Sequence, residues 1–418
     1  MLQKNSKKMT YNNMKGLIRL QFSMMMFLEF FIWGMWYVTM GTYLSTILKA
    51  TGLQIGAAYG MMAIATIISP LLIGIVADKF ISPKKMFILL HLFGSGVLLI
   101  ISKVTDSSIF NWVLLLYALL YAPTLALSSS LTFAQLDGNE ELFPGLRVFG
   151  TLGWIIAGIS IDQFFGNQIS LSSTFAVAGI ASIVLAVWTI FLPEVRQEIV
   201  ENKTSTLSLY NSGAFSLFKN RSFSVFFIAS ALIAIPLSFY YSLTNQFLNE
   251  IGVVDAASKM TGGQFSEAFF ILAIPFFLKK WGIKWMIVAG MIAWIIRFAF
   301  FYFGDASTNS WMLIVSILLH GLCYDFFFVA GQMYTDSMAK PENRNAAQAM
   351  ITMSTYGVGM WIGSILSGLV ANQNTINTTE HLWNRIWIVP AMITIVVLFL
   401  FITFFKADKK TKPKEIDI

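Results

Sequence analysis

Apolar runs about as long as a bilayer crossing recur along the chain from residue 22 to residue 406, with short polar stretches between them. A hydrocarbon core needs ~20 helical residues per crossing. Read that way, the runs predict spans near 22–47, 55–77, 85–103, 111–132, 146–164 and 173–193, then near 222–246, 256–278, 283–304, 311–333, 346–371 and 384–406. The most polar segment, 194–221, which contains EVRQEIVENKTSTLS, falls between the two sets of six. The pattern therefore predicts an all-α integral membrane protein of twelve transmembrane helices in two six-helix bundles. Its parts are a first bundle over 1–193, a linker over 194–221, a second bundle over 222–406 and a tail over 407–418.

Composition supports this reading. The chain is 56% hydrophobic and 12% charged, too little polar surface to cover a water-exposed globule. The formal net charge of +7, from 28 Lys+Arg against 21 Asp+Glu, could suggest nucleic acid until the positions are read. With the N-terminus in the cytoplasm, 22 of those 28 fall on the cytoplasmic side, and the outer loops and span ends hold only Lys49, Lys103, Lys259 and Arg385. That is the positive-inside distribution, so no nucleic-acid partner is expected. One cysteine, Cys323, excludes an internal disulfide framework, and His91, His320 and His381 are scattered without metal-ligand spacing. No cofactor or metal is expected. The first span follows Lys7, Lys8, Lys15 and Arg19 and is too long for a signal h-region, so it should stay in place as an anchor.

The halves echo each other. Loop 2/3 reads GIVADKFISPKKM and loop 8/9 reads FLKKWGIKWM, with Lys79 and Lys280 201 residues apart. Parallel six-helix repeats build one large transporter class, with substrate held between the halves. Gly74, Asp78 and Lys79, followed by Pro83-Lys84-Lys85, resemble the loop 2/3 signature of the major facilitator superfamily, G-x-x-x-D-[RK]. The physics fits a conformational latch: Gly74 permits close helix approach, and Asp78 at a helix end can pair with a basic group or a helix N-terminus of the other half. FLEFFIWGMWYVTMGTYL, YAPTLAL, LRVFGTLGW, QFSEAFFILAIPFFL, IIRFAFFYFGD and CYDFF together resemble the nucleoside:proton symporters of that superfamily. The resemblance implies proton-driven nucleoside uptake across a bacterial inner membrane, with both termini cytoplasmic.

Five ionisable residues fall at mid-span: Glu29, Arg147, Glu267, Arg297 and Asp325. Each costs about 2.5 to 3.5 kcal/mol on insertion scales and needs a reason. On span 5, Arg147, Thr151 and Trp154 stand at i, i+4 and i+7, one stripe carrying guanidinium, hydroxyl and indole. Such a stripe can grip a polar ring compound, although Arg147 could also snorkel from the span end. On span 8, Gln264 and Glu267 share a face and suit vicinal hydroxyls, each of which donates and accepts. The resemblance implies substrate contact at Arg147, Thr151, Gln264 and Glu267, with Trp154 where the family has another aromatic.

On span 10, His320 and Tyr324 line one face, while Asp325 lies about 140° from His320. Tyr324 can stack a base. His320 departs from the family's usual tyrosine, and span 7 departs further, offering Ser238 and Tyr241 where the family presents an amide pair. Glu29 stands where the family tends to a neutral amide; it reads as an extra proton site, a partner for Arg147 or a structural ion pair. Arg297 is expected to neutralise Asp325 or another acid from behind. Gly150, Gly153 and Gly158, with Gly359, Gly363 and Ser367, are expected where the two halves rock, and the Phe-rich stretches as lipid-facing or core filler.

These readings converge on alternating access. A proton binds at Glu267 or Asp325, with Glu29 a third candidate, and a nucleoside sits between span 5 and spans 7, 8 and 10. The partners expected are a small molecule, protons and the bilayer, with the protein a monomer. A symporter for a sugar, disaccharide or amino-sugar compound is the competing reading, because Ser238, Tyr241 and His320 break the nucleoside pattern. No set of nucleophile, base and metal ligands converges, so an enzyme is not expected.

Overall fold

The structure, a computed structural model, describes residues 16–76, 82–136, 142–165, 171–193, 213–340, 343–377 and 380–406. Eleven helical runs among them are long and apolar enough to cross a membrane. One of these, Ala256–Phe303, is 48 residues long, about twice what one crossing needs. It turns back at Gly282, whose φ of 71° lies in the left-handed region that favours glycine. This break separates span 8 from span 9, so the chain makes the twelve crossings of two six-helix bundles.

In order, span 1 is Gly16–Tyr37 continued by Met40–Thr46, and spans 2 to 6 are Gly52–Val76, Pro83–Ile101, Ser107–Leu136, Phe143–Phe165 and Ser172–Ile190. Span 7 is Arg221–Glu250. Span 8 runs from Ala256–Met260 through 262–281, and span 9 over 283–303. Spans 10 and 11 are Ser310–Met338 and Ala346–Gln373, and span 12 is Trp383–Phe404. A two-stranded hairpin, Thr375–Asn377 with Glu380–His381, joins the last two.

Polar residues between the runs start several of these helices by satisfying orphan backbone donors. Ser82 accepts from Lys85 N and is followed by Pro83. Asp106 Oδ1 accepts from the backbone of Ser108 and Ile109, both at 2.9 Å. Asn220 does the same for Ser222 and Phe223 at the head of span 7. In the 9/10 turn, Asp305 takes hydrogen bonds from the Ser307 hydroxyl and the backbone of Ser307 and Asn309, which hold its carboxyl below the usual carboxylate range.

Span 1 breaks between Tyr37 and Met40, and in lipid the freed backbone groups need a protein partner. Tyr59 supplies it: its hydroxyl donates to Tyr37 O at 2.9 Å and accepts from Gly41 N at 3.1 Å. Two π-helical turns, Asp325–Val329 and Met353–Gly359, interrupt spans 10 and 11.

Each half has its own apolar core. One runs from Phe22 to Leu192 and borrows only Ala257 from the other half. The second runs from Phe223 to Phe405 and borrows Val38 and Ala63. The halves meet toward the end of the bundle where the odd-numbered spans finish, here called the far end. There Thr42 Oγ1 donates to Asn245 Oδ1 at 2.7 Å, and Asp162 Oδ2 accepts from Ser258 N. Span 2 packs on span 11 so closely that a Cβ at Gly56 would lie 2.2 Å from Ser364 O.

The small residues expected at this seam sit mostly elsewhere. A Cβ at Gly153 would meet Phe27 O, and one at Gly363 would meet Ser238 and Ile235. Those are contacts within a half, span 5 on span 1 and span 11 on span 7. Gly158 alone of the expected set reaches across, to Thr261. Of the latch candidates, Gly74 lies in the span 2 helix, and Asp78 and Lys79 lie outside the described residues.

A Thr42→Cys/Asn245→Cys pair should form a disulfide under mild oxidation, reporting the closed far end. Gly56→Ile in that background should cut the yield several-fold, because the added side chain has no room between spans 2 and 11. Equal yields with and without Gly56→Ile would show that this close approach does not hold the halves together.

Candidate binding cavity between the halves

A cavity of about 140 Å³ lies between the two halves, an order of magnitude more than one water requires. Span 1 contributes Phe30, Trp33 and Tyr37 at i, i+3 and i+7, and span 5 contributes Arg147, Gly150, Thr151 and Trp154. The facing wall is Tyr241 from span 7, Gln264 and Glu267 from span 8, Tyr324 from span 10, and Tyr356 and Met360 from span 11. Helical periodicity explains each cluster, since residues three, four and seven apart share one face.

Arg147 lies across Phe30, with Cζ 3.8 Å from the ring centroid. Gly150 makes that possible: a Cβ there would sit 2.6 Å from Phe30 and 2.7 Å from Arg147 Nη1. Among the described residues, no ion pair within 4.0 Å joins Arg147 to Glu267. The guanidinium and the carboxyl thus face one space from opposite halves without neutralising each other directly. Across the far side of the cavity runs an aromatic lattice. Trp33 meets Trp154 at 5.3 Å and Tyr37 at 5.4 Å, and Tyr37 meets Tyr241 at 5.6 Å. Beyond it only about 10 Å³ remains, beside Gly158, Met260 and Thr261, roughly one water's worth.

Seven of the nine substrate candidates read from the sequence surround this cavity: Arg147, Thr151, Trp154, Tyr241, Gln264, Glu267 and Tyr324. Ser238 and His320 do not line it. Ser238 is 1% exposed and its hydroxyl faces Met360 O at 3.4 Å, turned toward span 11. His320 is 1% exposed and bonded through Nδ1 to Arg297 Nη1 at 3.0 Å. Arg297 therefore pairs with a histidine rather than with an acid. Asp325 is 0% exposed, and among the described residues neither of its carboxyl oxygens has a hydrogen-bond partner.

Glu29 is held by a histidine and a threonine of its own half. It is 0% exposed, accepts from Thr124 Oγ1 at 2.6 Å and lies 2.9 Å from His91 Nε2. His91 Nδ1 in turn meets the Ser182 hydroxyl at 2.9 Å, and that hydroxyl donates to His91 O. Every partner belongs to the first half, and none is Arg147.

Sequence reasoning missed Phe30, Trp33, Tyr37, Tyr356 and Met360. The first three stand at i, i+3 and i+7, a helical period like the i, i+4 and i+7 of the span 5 stripe, and that period was the available signal. Tyr356 carries no such signal. It reaches the cavity from the π turn of span 11, where its hydroxyl meets that of Tyr324. Such turns re-aim side chains and recur at functional sites.

The family profile described as Nucleoside H+ symporter matches residues 14–410. The chain is 36% identical to the transporter YegT of Escherichia coli K12, over 94% of this chain and 96% of that one. It is 34% identical to the xanthosine permease of the same organism, over 95% and 97%. The crystal structure of the nucleoside transporter NupG superposes with a TM-score of 0.85 at 32% identity, covering 94% of this chain and all of that one.

His91→Leu would leave Glu29 without its ring partner, and breaking a buried pair costs about 3 to 5 kcal/mol. The expected reading is a fall in the melting temperature of the detergent-purified protein, largely reversed when Glu29→Gln is added. A double variant no more stable than His91→Leu alone would show that the pair is not what holds these helices.

Proposed function

This chain is a member of the nucleoside H+ symporter family, and from that membership we propose how its cavity couples a nucleoside to a proton. The observation that carries the reading is the arrangement of Arg147 and Thr151 on one half opposite Gln264 and Glu267 on the other. A ligand hydrogen-bonded to both sets draws the halves together. An amide beside a carboxyl suits the two ribose hydroxyls, each a donor and an acceptor. The rings of Trp154, Tyr241 and Tyr324 offer faces on which a base can stack.

The proton is carried by Glu267 and Asp325. A buried carboxylate with no partner costs several kcal/mol, and Asp325 has none. It is therefore tolerable here in its neutral form and gives up its proton only when the surroundings change. Glu267 lines the cavity, so substrate and proton meet at the same side chain. Glu29, held within the first half by His91 and Thr124, is left out of this path.

The far end is proposed as the outer surface and the near end as the cytoplasmic one, which places both termini inside a bacterial inner membrane and agrees with the basic loops. The closed contacts described above then seal the outer side in this state. Residues 1–193 and 222–406 move as the two bodies, joined by 194–221 and followed by the tail 407–418. Gly74, Asp78 and Lys79 latch the cytoplasmic side in the opposite state, and the protein works as a monomer.

In reconstituted vesicles, Glu267→Gln should abolish accumulation driven by a pH gradient while leaving exchange of labelled nucleoside measurable. Retained concentrative uptake by that variant would remove Glu267 from the proton role. Gln264→Ala should weaken nucleoside binding by about tenfold, the loss expected for roughly 1.4 kcal/mol of hydrogen bonding. Uridine, adenosine and xanthosine should each be tested as competitors against mono- and disaccharides. Competition by the sugars alone would favour the sugar-symport reading.

A further inference from the structure

Arg297 and His320 form a buried pair that the transport cycle above does not use. Arg297 is 0% exposed on span 9, a helix that contributes nothing to the cavity wall. Its Cζ lies 3.4 Å from the centre of the Tyr240 ring and 5.1 Å from that of Trp294. Nε and Nη2 have no oxygen acceptor, so aromatic faces solvate this cation. Nη1 makes a hydrogen bond to His320 Nδ1, at 3.0 Å.

A guanidinium donates from every nitrogen and accepts nowhere. His320 Nδ1 must therefore be the acceptor. The ring's single proton then sits on Nε2, and the ring stays neutral as long as the contact stands. A second proton would set two cations 3.0 Å apart. The ring touches Tyr240 at 5.1 Å, Tyr241 at 6.1 Å and Tyr324 at 5.6 Å, and the last two line the cavity. It also abuts the first turn of the helix carrying Gln264 and Glu267, where a Cβ at Gly263 would lie 3.0 Å from His320 Cβ.

We propose that Arg297 is a positioning residue for nucleoside binding: it holds His320 as the neutral tautomer protonated at Nε2, and His320 sets the tilt of Tyr241 and Tyr324 in the cavity wall. The inference rests on the reading of that cavity as the nucleoside site. The other titratable groups that stand nearest the ring on the elements packed around it are Tyr240 and Tyr241 of span 7, Glu267 of span 8, and Cys323, Tyr324 and Asp325 of span 10. Among the described residues, no acid lies within ion-pair distance of His320.

The test measures equilibrium binding of uridine and adenosine to the purified full chain at about pH 5.5 and about pH 7.5, on either side of the ordinary histidine pKa. Arg297→Met frees Nδ1 to take a proton, so its affinity relative to wild type should fall about tenfold further at the acid pH. Arg297→Lys, which still donates, should keep the wild-type ratio, and Arg297→Met/His320→Gln should lose the acid-selective component. An equal loss at both pH values, or an acid-selective loss surviving in the double variant, overturns the proposal.

Should Arg297→Met fail to fold, nitrogen-15 spectra of histidine-labelled wild type decide the matter. With three histidines in the chain, one signal must keep the Nε2-protonated neutral pattern across this pH range, and its titration would overturn the proposal. A wild type that binds no nucleoside would sink the cavity reading, while the tautomer signal still decides the role of Arg297.

Discussion

In a bilayer no water reaches a stranded polar group, so each charge inside the membrane must be answered by the protein or by something that passes through it. The five mid-span ionisable residues divide on that constraint. Glu29 is answered by His91 and Thr124, and Arg297 by His320 and the ring faces of Tyr240 and Trp294. Arg147 and Glu267 open onto a shared space, and among the described residues the Asp325 carboxyl has no hydrogen-bond partner. The first two stabilise a half. The last three are the groups that the proposed transport cycle uses.

The same constraint shapes the seam. Two bundles that slide past one another in lipid gain little from apolar contact, since the lipid tails are as apolar as the helices. Their closed surface is built instead from backbone meeting backbone, as at Gly56 against Ser364, and from a few short polar contacts such as Thr42 with Asn245. Contacts of that kind have high specificity and modest strength, which suits a surface that has to open in every cycle.

Much of this was legible in the chain. Twelve crossings follow from hydropathy alone, because the bilayer sets one length for every helix. Arg147, Thr151 and Trp154 could be placed on one stripe, and Gln264 beside Glu267, because helical spacing fixes which residues share a face. What spacing does not fix is which way that face turns. Ser238 and His320 stood at plausible positions and yet look toward neighbouring helices. Arg297 was matched to an acid because opposite charges invite pairing, and its actual partner is a histidine ring on span 10. Tyr356 was invisible because a π turn shifts the register that periodicity assumes. Apart from Gly158, the glycines expected at the seam turned out to hold helices together inside each half, since a small residue announces close approach without saying to whom.

The interruption in span 1 has a consequence for how such a protein can diversify. Trp33 and Tyr37 precede the break and face the ligand space, whereas Gly41 and Thr42 follow it and touch the opposite bundle, with the Tyr59 hydroxyl pinning the joint. The cavity wall and the far-end contact are thereby carried by two short rods on a common pivot. A change of ring in the aromatic panel can reshape the cavity while leaving the shutter as it is.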